Sequence, residues 1–243
     1  MVRHTRLAVA RCIYVTLCAA ASLQSLAVDC PIWRNPRISA PEVPLNIDKV
    51  KGQLRAYKTG NYSADLAAVA GDALAYLRSQ AGQVKNPAMV LDIDETALSN
   101  WPAIDSDDFG FIPDGSCDDP SRGPCGFTAW VKRGEATAIG STLSLYRSAR
   151  EMGVTVFFVT SRLEETREKT MANLRRVGYE GVDDEHLRMA KVKGPAQDFK
   201  TSARNEIAQN FTIIANMGDQ ESDLAGDFSG CTFKLPNPFY FIP

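Results

Sequence analysis

Ala88-Met89-Val90-Leu91-Asp92-Ile93-Asp94-Glu95-Thr96 is the stretch on which the fold turns. Its apolar residues run without a break, too briefly for a helix, and then meet two aspartates one residue apart. Runs of this length suit strands covered on both faces, as in a parallel sheet. Further runs stand at 154–160 and 212–216, with weaker candidates at 186–190 and 231–235. Helical spacing fills the intervals at 47–57, from Ser63 to near Gly82, and at 141–152. Ser161-Arg162-Leu163-Glu164 has the pattern of a capping box opening a helix that stops at Gly178, and a short helix is expected from Ser202 to Gln209. Strands alternating with helices predict an α/β fold, a parallel sheet flanked by helices with right-handed crossovers. Residues 101–139 break the alternation with Gly, Pro and scattered aromatics, and are too long for an ordinary loop; they read as a functional insertion.

Open α/β sheets bind ligands at the carboxyl ends of their strands. The first run ends in Asp92-Ile93-Asp94-Glu95-Thr96, the second in Thr160-Ser161-Arg162, and the 212–216 run in Gly218-Asp219 with Asp223 close behind. Lys200 precedes the expected short helix. Carboxylates, a hydroxyl and a lysine are thus expected on one edge. Several carboxylates in a small space cannot all ionise without a cation, and oxygen-only ligands suit Mg²⁺. Lys200 and Thr160 would supply charge and a donor to phosphate oxygens. At a strand end, residues i and i+2 face one way, so Asp92 and Asp94 can address one ligand from about 6–7 Å apart. That spacing suits a phosphorus atom between a nucleophile, Asp92, and a proton donor and later base, Asp94, through an aspartyl-phosphate.

Composition narrows the alternatives. The chain has 243 residues with 44% hydrophobic and 23% charged residues, a globular balance. Of the two histidines, His4 lies in a segment expected to be removed, and a mature protein with His186 alone cannot build a multi-His zinc site. A net charge of −2 argues against a nucleic-acid partner. No apolar run reaches the ~18–20 residues of a membrane span, so no stable membrane insertion is expected. Residues 1–27 read as a signal peptide: Arg3, His4, Arg6 and Arg11 precede an apolar stretch at 12–23, and Ser25 and Ala27 offer small residues at a cleavage site. Its removal takes three Arg and no acid, moving the charge from −2 to −5. A secreted or periplasmic protein is the expectation, with a Pro-rich extended arm at 28–46 and one domain at 47–243. Four cysteines then remain in an oxidising compartment. Cys117 and Cys125 would close the shortest loop, leaving Cys30 to pair with Cys231. Neither Cys117 nor Cys125 begins a C-x5-R sequence, so a cysteine phosphatase is not indicated.

The segment from Val90 through Asp92, Asp94, Glu95 and Thr96 to Asn100 resembles the first motif of haloacid dehalogenase (HAD) superfamily phosphatases. Its Asp-Glu-Thr form looks like the class B acid phosphatase branch, which includes plant acid phosphatases and vegetative storage proteins. Phe199-Lys200-Thr201-Ser202-Ala203-Arg204 and Gly218-Asp219-Gln220-Glu221-Ser222-Asp223 are similar to that branch's third and fourth motifs. The resemblance runs from about residue 40 onward, with four motifs in order. It implies a HAD-like Rossmannoid fold with a small cap between the first two motifs, matching 101–139. It implies Asp92 as nucleophile, Asp94 as acid/base, and phosphate binding by Thr160 and Lys200. Mg²⁺ would be held by Asp92, the carbonyl of Asp94, and Asp219, with Asp223 in support. A small-molecule phosphomonoester, such as a nucleotide, is the implied substrate.

Alternatives stand beside these assignments. Ser161 rivals Thr160, and Lys191 and Lys193 rival Lys200. Arg162 either touches substrate or pairs at a helix start. Trp101, Phe109, Phe111, Phe127 and Trp130 form either the core of the cap or a substrate platform. His186 reads as structural. An EF-hand loop is excluded because Ala97 and Ala103 stand where Gly and Glu are needed. At the level of function, an exported acid phosphatase competes with a non-catalytic storage or phosphate-ligand-binding relative, and the same aspartyl-phosphate would allow transfer to an alcohol. Position 92 discriminates: some storage relatives lack the nucleophile, whereas Asp92 is present here.

Overall fold

The computed structural model describes residues 45–242. The expected signal peptide, most of the expected Pro-rich arm and Cys30 lie outside the described residues. In chain order the helices are α1 (Ile47–Thr59), α2 (Tyr62–Gln80), α3 (Trp101–Ser106), α4 (Phe127–Arg133), α5 (Gly140–Glu151), α6 (Arg167–Arg176), α7 (Ala196–Ala208) and α8 (Glu221–Leu224). The strands are β1 (Pro87–Leu91), β2 (Leu98–Ser99), β3 (Thr137–Ala138), β4 (Thr155–Leu163), β5 (Leu187–Ala190), β6 (Thr212–Gly218) and β7 (Cys231–Lys234).

Five strands form one parallel sheet in the order β5-β4-β1-β6-β7. The unbroken apolar run of β1 has a direct use. Met89 and Leu91 enter the core on one face, whereas Ala88 and Val90 enter the core on the other. β4 does the same, with Val156 and Phe158 on the first face and Phe157 and Val159 on the second. Helices α2 and α5 pack on the first face and α7 on the second. Each apolar side chain therefore leaves water, at about 1.5–3 kcal/mol for a fully buried Val, Leu or Phe.

β1 sits at the centre of the sheet, and Leu91 registers with Phe158 of β4 and Met217 of β6. The ends of β1, β4 and β6 therefore arrive together. The 101–139 insertion starts from this edge. It carries α3 and α4, and its ends are joined by the antiparallel pair β2–β3, with Leu98 opposite Ala138. Cys117 and Cys125, both buried, form the expected disulfide within it. Cys231 in β7 is also disulfide-bonded.

Two local expectations change. The Ser161–Glu164 capping box does not form, because β4 continues through a register shift after Thr160 and pairs Leu163 with Ala190. Helix α6 begins only after a 3-10 turn at Glu164–Thr166. Strand pairing across the sheet overrides the local cap preference here. Lys200 lies inside α7 rather than before it, since the helix starts behind Pro195, with Asp198 in the first turn where its charge complements the helix dipole.

Candidate active site

The central strand delivers Asp92 to the sheet edge. Its main-chain N–H still donates to the carbonyl of Met217, at 3.0 Å, so the residue is anchored by the ladder it terminates. Immediately afterwards the chain turns tightly. The N–H groups of Thr96, Ala97 and Leu98 converge on the carbonyl of Ile93 at 3.3, 2.9 and 2.8 Å, and Glu95 adopts a positive φ of 50°. This turn presents Asp94 beside Asp92 and returns the chain into β2.

Strand β6 delivers Asp219, and the short α8 delivers Asp223. The side chain of Asp223 accepts a bond from the N–H of Gln220 at 2.8 Å, and the two residues form a reciprocal capping box. Gly218 is required at this corner: a Cβ there would lie 2.4 Å from the Asp223 carboxylate. Lys200 comes from α7, on the same helix face as Arg204 and Ile207. Buried Arg204 donates to the carbonyls of Asp223, Ala225 and Asp227, clamping the loop that carries Asp223.

Carboxylate oxygens of Asp92, Asp219 and Asp223 all lie within 4.8 Å of one another. The Lys200 ammonium donates to Asp92 at 2.5 Å and also to Asp223. Among the described residues it is the cation that forms ion pairs with this group. Three carboxylates against one ammonium leave an excess of two negative charges in a buried site. Burial, with Asp223, Asp219 and Asp94 adding to it against the pull of Lys200, pushes Asp92 above the ordinary carboxylate range. Burial and Asp223 push Asp219 up to about 6, opposed by donors on Asn237 and Gln220. Burial would lower Lys200, but Asp92 and Asp223 outweigh it and hold the ammonium protonated. An all-oxygen donor set with two uncompensated charges fits a hard divalent cation.

Asp94 stands outside the three-carboxylate cluster. Arg162 from β4 holds it with Nη2 at 2.7 Å and Nε at 3.1 Å, and Asn100 Nδ2 donates to it at 2.8 Å. The arginine is thus an active-edge residue and does not open a helix. Thr160 is fully buried, and its hydroxyl accepts from the N–H of Arg162 at 3.2 Å. Ser161, not Thr160, lines the open cleft, as does Lys193 of the two rival lysines. His186 lies away from the cleft, bonded to Asp183 and stacked on Phe157, which is the expected structural role.

The cleft has a volume of about 580 Å³ and opens between the sheet edge and the insertion. Phe109, Phe111, Phe127, Val192, Phe239 and Phe241 give it an apolar wall. Among the insertion's aromatics, Trp101 instead packs edge-on against Phe109 and Phe239, and Trp130 is buried core. The aromatic residues are therefore divided between core and wall.

Several contributors escaped the motif-based reading. Glu95 is buried, accepts from the N–H and Nδ2 of Asn100 and from the Tyr240 hydroxyl, and is pushed up to about 8 by burial and by Asp219. Asn237 Nδ2 donates to Asp219 at 2.6 Å, and the N–H of Ile242 donates to Gln220 at 2.9 Å. Glu95 and Asn100 sit within the quoted first motif, which offered a signal. The C-terminal residues offered none, because their partners are remote in sequence.

Residues 16–243 match the family model for the HAD superfamily, subfamily IIIB (acid phosphatase). Among similar proteins, Acid phosphatase 1 of Solanum lycopersicum is 34% identical over 194 residues, covering 78% of this chain and 73% of that protein. Vegetative storage protein 1 of Arabidopsis thaliana is 29% identical over 210 residues, covering 82% and 74%. A solved structure of the class C acid phosphatase from Bacillus anthracis superposes with a TM-score of 0.67 at 22% identity, covering 81% of this chain and 87% of that one, a likeness of fold.

Proposed function

Because this chain belongs to HAD superfamily subfamily IIIB, the acid phosphatases, we propose that it is an exported, Mg²⁺-dependent hydrolase of phosphomonoesters that works through a phosphorylated Asp92. The observation that carries this reading is the convergence of buried Asp92 with Asp219, Asp223 and Lys200 at the sheet's carboxyl edge.

Asp92 attacks the phosphorus in line with the ester oxygen. Asp94 gives its proton to that oxygen as the P–O bond breaks, so the alcohol leaves neutral. The carboxylate of Asp94 then takes a proton from water, the water oxygen attacks the phosphorus, and the Asp92–phosphorus bond breaks. Lys200 offers its ammonium to the phosphoryl oxygens, and the hydroxyl of Thr160 or Ser161 completes their binding. Asp92, Asp219, Asp223 and the carbonyl of Asp94 would hold a Mg²⁺ ion, which would supply positive charge to offset the anionic phosphoryl group. The apolar wall receives the alcohol portion, which favours leaving groups with a flat or apolar body, nucleosides among them.

Export is supported by the basic-then-apolar pattern of residues 1–27 and by the Cys117–Cys125 disulfide, a bond suited to oxidising compartments. The storage-protein relative gives a second reading, a phosphate-ligand-binding protein without turnover. The presence of Asp92 argues against it. A screen of phosphomonoesters with Mg²⁺, and again in excess EDTA, tests both. Hydrolysis that EDTA abolishes and Mg²⁺ restores supports the enzyme. Binding of phosphate esters without turnover establishes the storage reading instead.

A further inference from the structure

Asn100 occupies the N-cap position of α3, yet its side chain makes no cap bond to that helix. An N-cap Asn ordinarily accepts from the helix N–H groups, a contact whose loss costs about 0.5–2 kcal/mol. Here the amide is turned the other way. Its Nδ2 donates to Asp94 at 2.8 Å and to Glu95 at 3.0 Å. Its Oδ1 accepts from Trp130 Nε1 at 2.9 Å and from Arg162 Nη2 at 3.4 Å. All four bonds lie in or beside buried structure, and Asn100 itself is 2% exposed.

The two ends of an amide are chemically opposite, and only one orientation serves here. Flipped, the oxygen would face two carboxylates and the NH₂ would face two donors. Trp130 decides the orientation most firmly, since an indole N–H can only donate. Trp130 sits in α4, within the insertion, whereas Asp94 belongs to the turn after β1. We propose that Asn100 is a positioning residue that fixes the Asp94 carboxyl for proton transfer, and that Trp130 sets its orientation, so that the insertion governs general acid catalysis through a single amide.

This inference rests on the assignment of Asp94 as proton donor, and its test separates the two. The quantity to measure is kcat/KM for phosphorylation of Asp92, with alkyl and with aryl phosphates. Alkyl phosphates expel a basic alkoxide and need the proton; aryl phosphates need it little. Asn100→Ala should lower kcat/KM about 10–100-fold on alkyl phosphates, the scale of a hydrogen bond to a charged group, and under about 5-fold on aryl phosphates. Trp130→Phe keeps the ring packing and removes the donor; it should show the same leaving-group bias at about 2–10-fold. In an Asp94→Asn background, the Asn100→Ala loss should nearly vanish, because the group through which it acts has already gone. A residue needed only for folding would lower both substrates equally and keep its effect in that background. Equal losses on both leaving groups, or an undiminished loss beside Asp94→Asn, would overturn the proposal while leaving the phosphatase assignment intact. A wild-type protein that hydrolyses neither substrate would overturn the assignment itself. If Asn100→Ala does not fold, Trp130→Phe decides by the same leaving-group comparison.

Discussion

Lys200 stands between Asp92 and Asp223, its ammonium donating to one oxygen of each, with all three side chains almost wholly removed from water. From α7 it is a bridging counter-charge for two carboxylates, one at the end of β1 and one in α8. Its loss leaves buried carboxylates facing one another.

Lys200→Met should therefore destabilise the metal-free protein by about 3–5 kcal/mol, the usual cost of stripping one partner from a buried ion pair. Mg²⁺ should recover part of this loss by neutralising the same carboxylates. Melting curves of wild type and variant, each in EDTA and in Mg²⁺, check it. An equal shift in both buffers would mean that lysine and metal do not share the carboxylate cluster.

The two aspartates of the first motif should fail differently. Asp92→Asn removes the attacking oxygen, and hydrolysis should drop to background. Asp94→Asn should lose ~10²–10⁴-fold, the typical contribution of general acid–base catalysis. Phospho-Asp92 should accumulate on aryl phosphates, because dephosphorylation still requires the base. Rapid-quench detection of the acyl phosphate distinguishes the steps, and normal turnover by Asp92→Asn would refute its role.

Stability should fall as pH rises through the neutral range when metal is absent. Glu95 is pushed from 4.5 up to about 8, so between these values the folded protein keeps a proton that the unfolded chain has released. Stability is then lost with rising pH and levels off above about 8. Asp219, raised from 3.8 to about 6, gives a slope of the same sign at lower pH. Glu95→Gln, a neutral mimic, should flatten the curve between about 6 and 8. Thermal melts across that range in EDTA supply the measurement, and an unchanged slope in the variant would exclude Glu95 as its source.

Reducing the Cys117–Cys125 disulfide should act on the insertion rather than on the sheet. The bond spans a sequence separation of 8, and loops of that size are stabilised by roughly 2–3 kcal/mol. Cys117→Ser together with Cys125→Ser should raise KM more than it lowers kcat, with amide exchange quickening in α3 and α4. Exchange quickening in β1 and β4 instead would place the bond's effect in the core.

What could be read beforehand follows from the range of each interaction. The runs at Ala88 to Leu91 and at Val156 to Val159 announce themselves because a strand covered on both faces must be apolar at every position. Asp92, Asp94, Lys200, Asp219 and Asp223 were legible from motif order, and the fold brings them to one edge. Lys200 falls before the helix expected from Ser202 to Gln209, whereas the helix starts behind Pro195 and includes the lysine. Ser161 likewise carried a cap signature that pairing with β5 overruled. The wiring of Asp94 to Asn100 and Trp130, and of Glu95 to Tyr240, depends on contacts between distant segments, and no periodicity reports those.

The segment from Asn237 to Ile242 touches the acidic edge at Asp219, Glu95 and Gln220, and its aromatic residues wall the cleft. In chain order it follows every strand of the sheet and the whole insertion. Synthesis runs from the N-terminus, so the sheet and the insertion can assemble around an edge that still lacks these contacts. The acidic centre thus draws its final contacts from a segment made after the strands and the insertion that carry it.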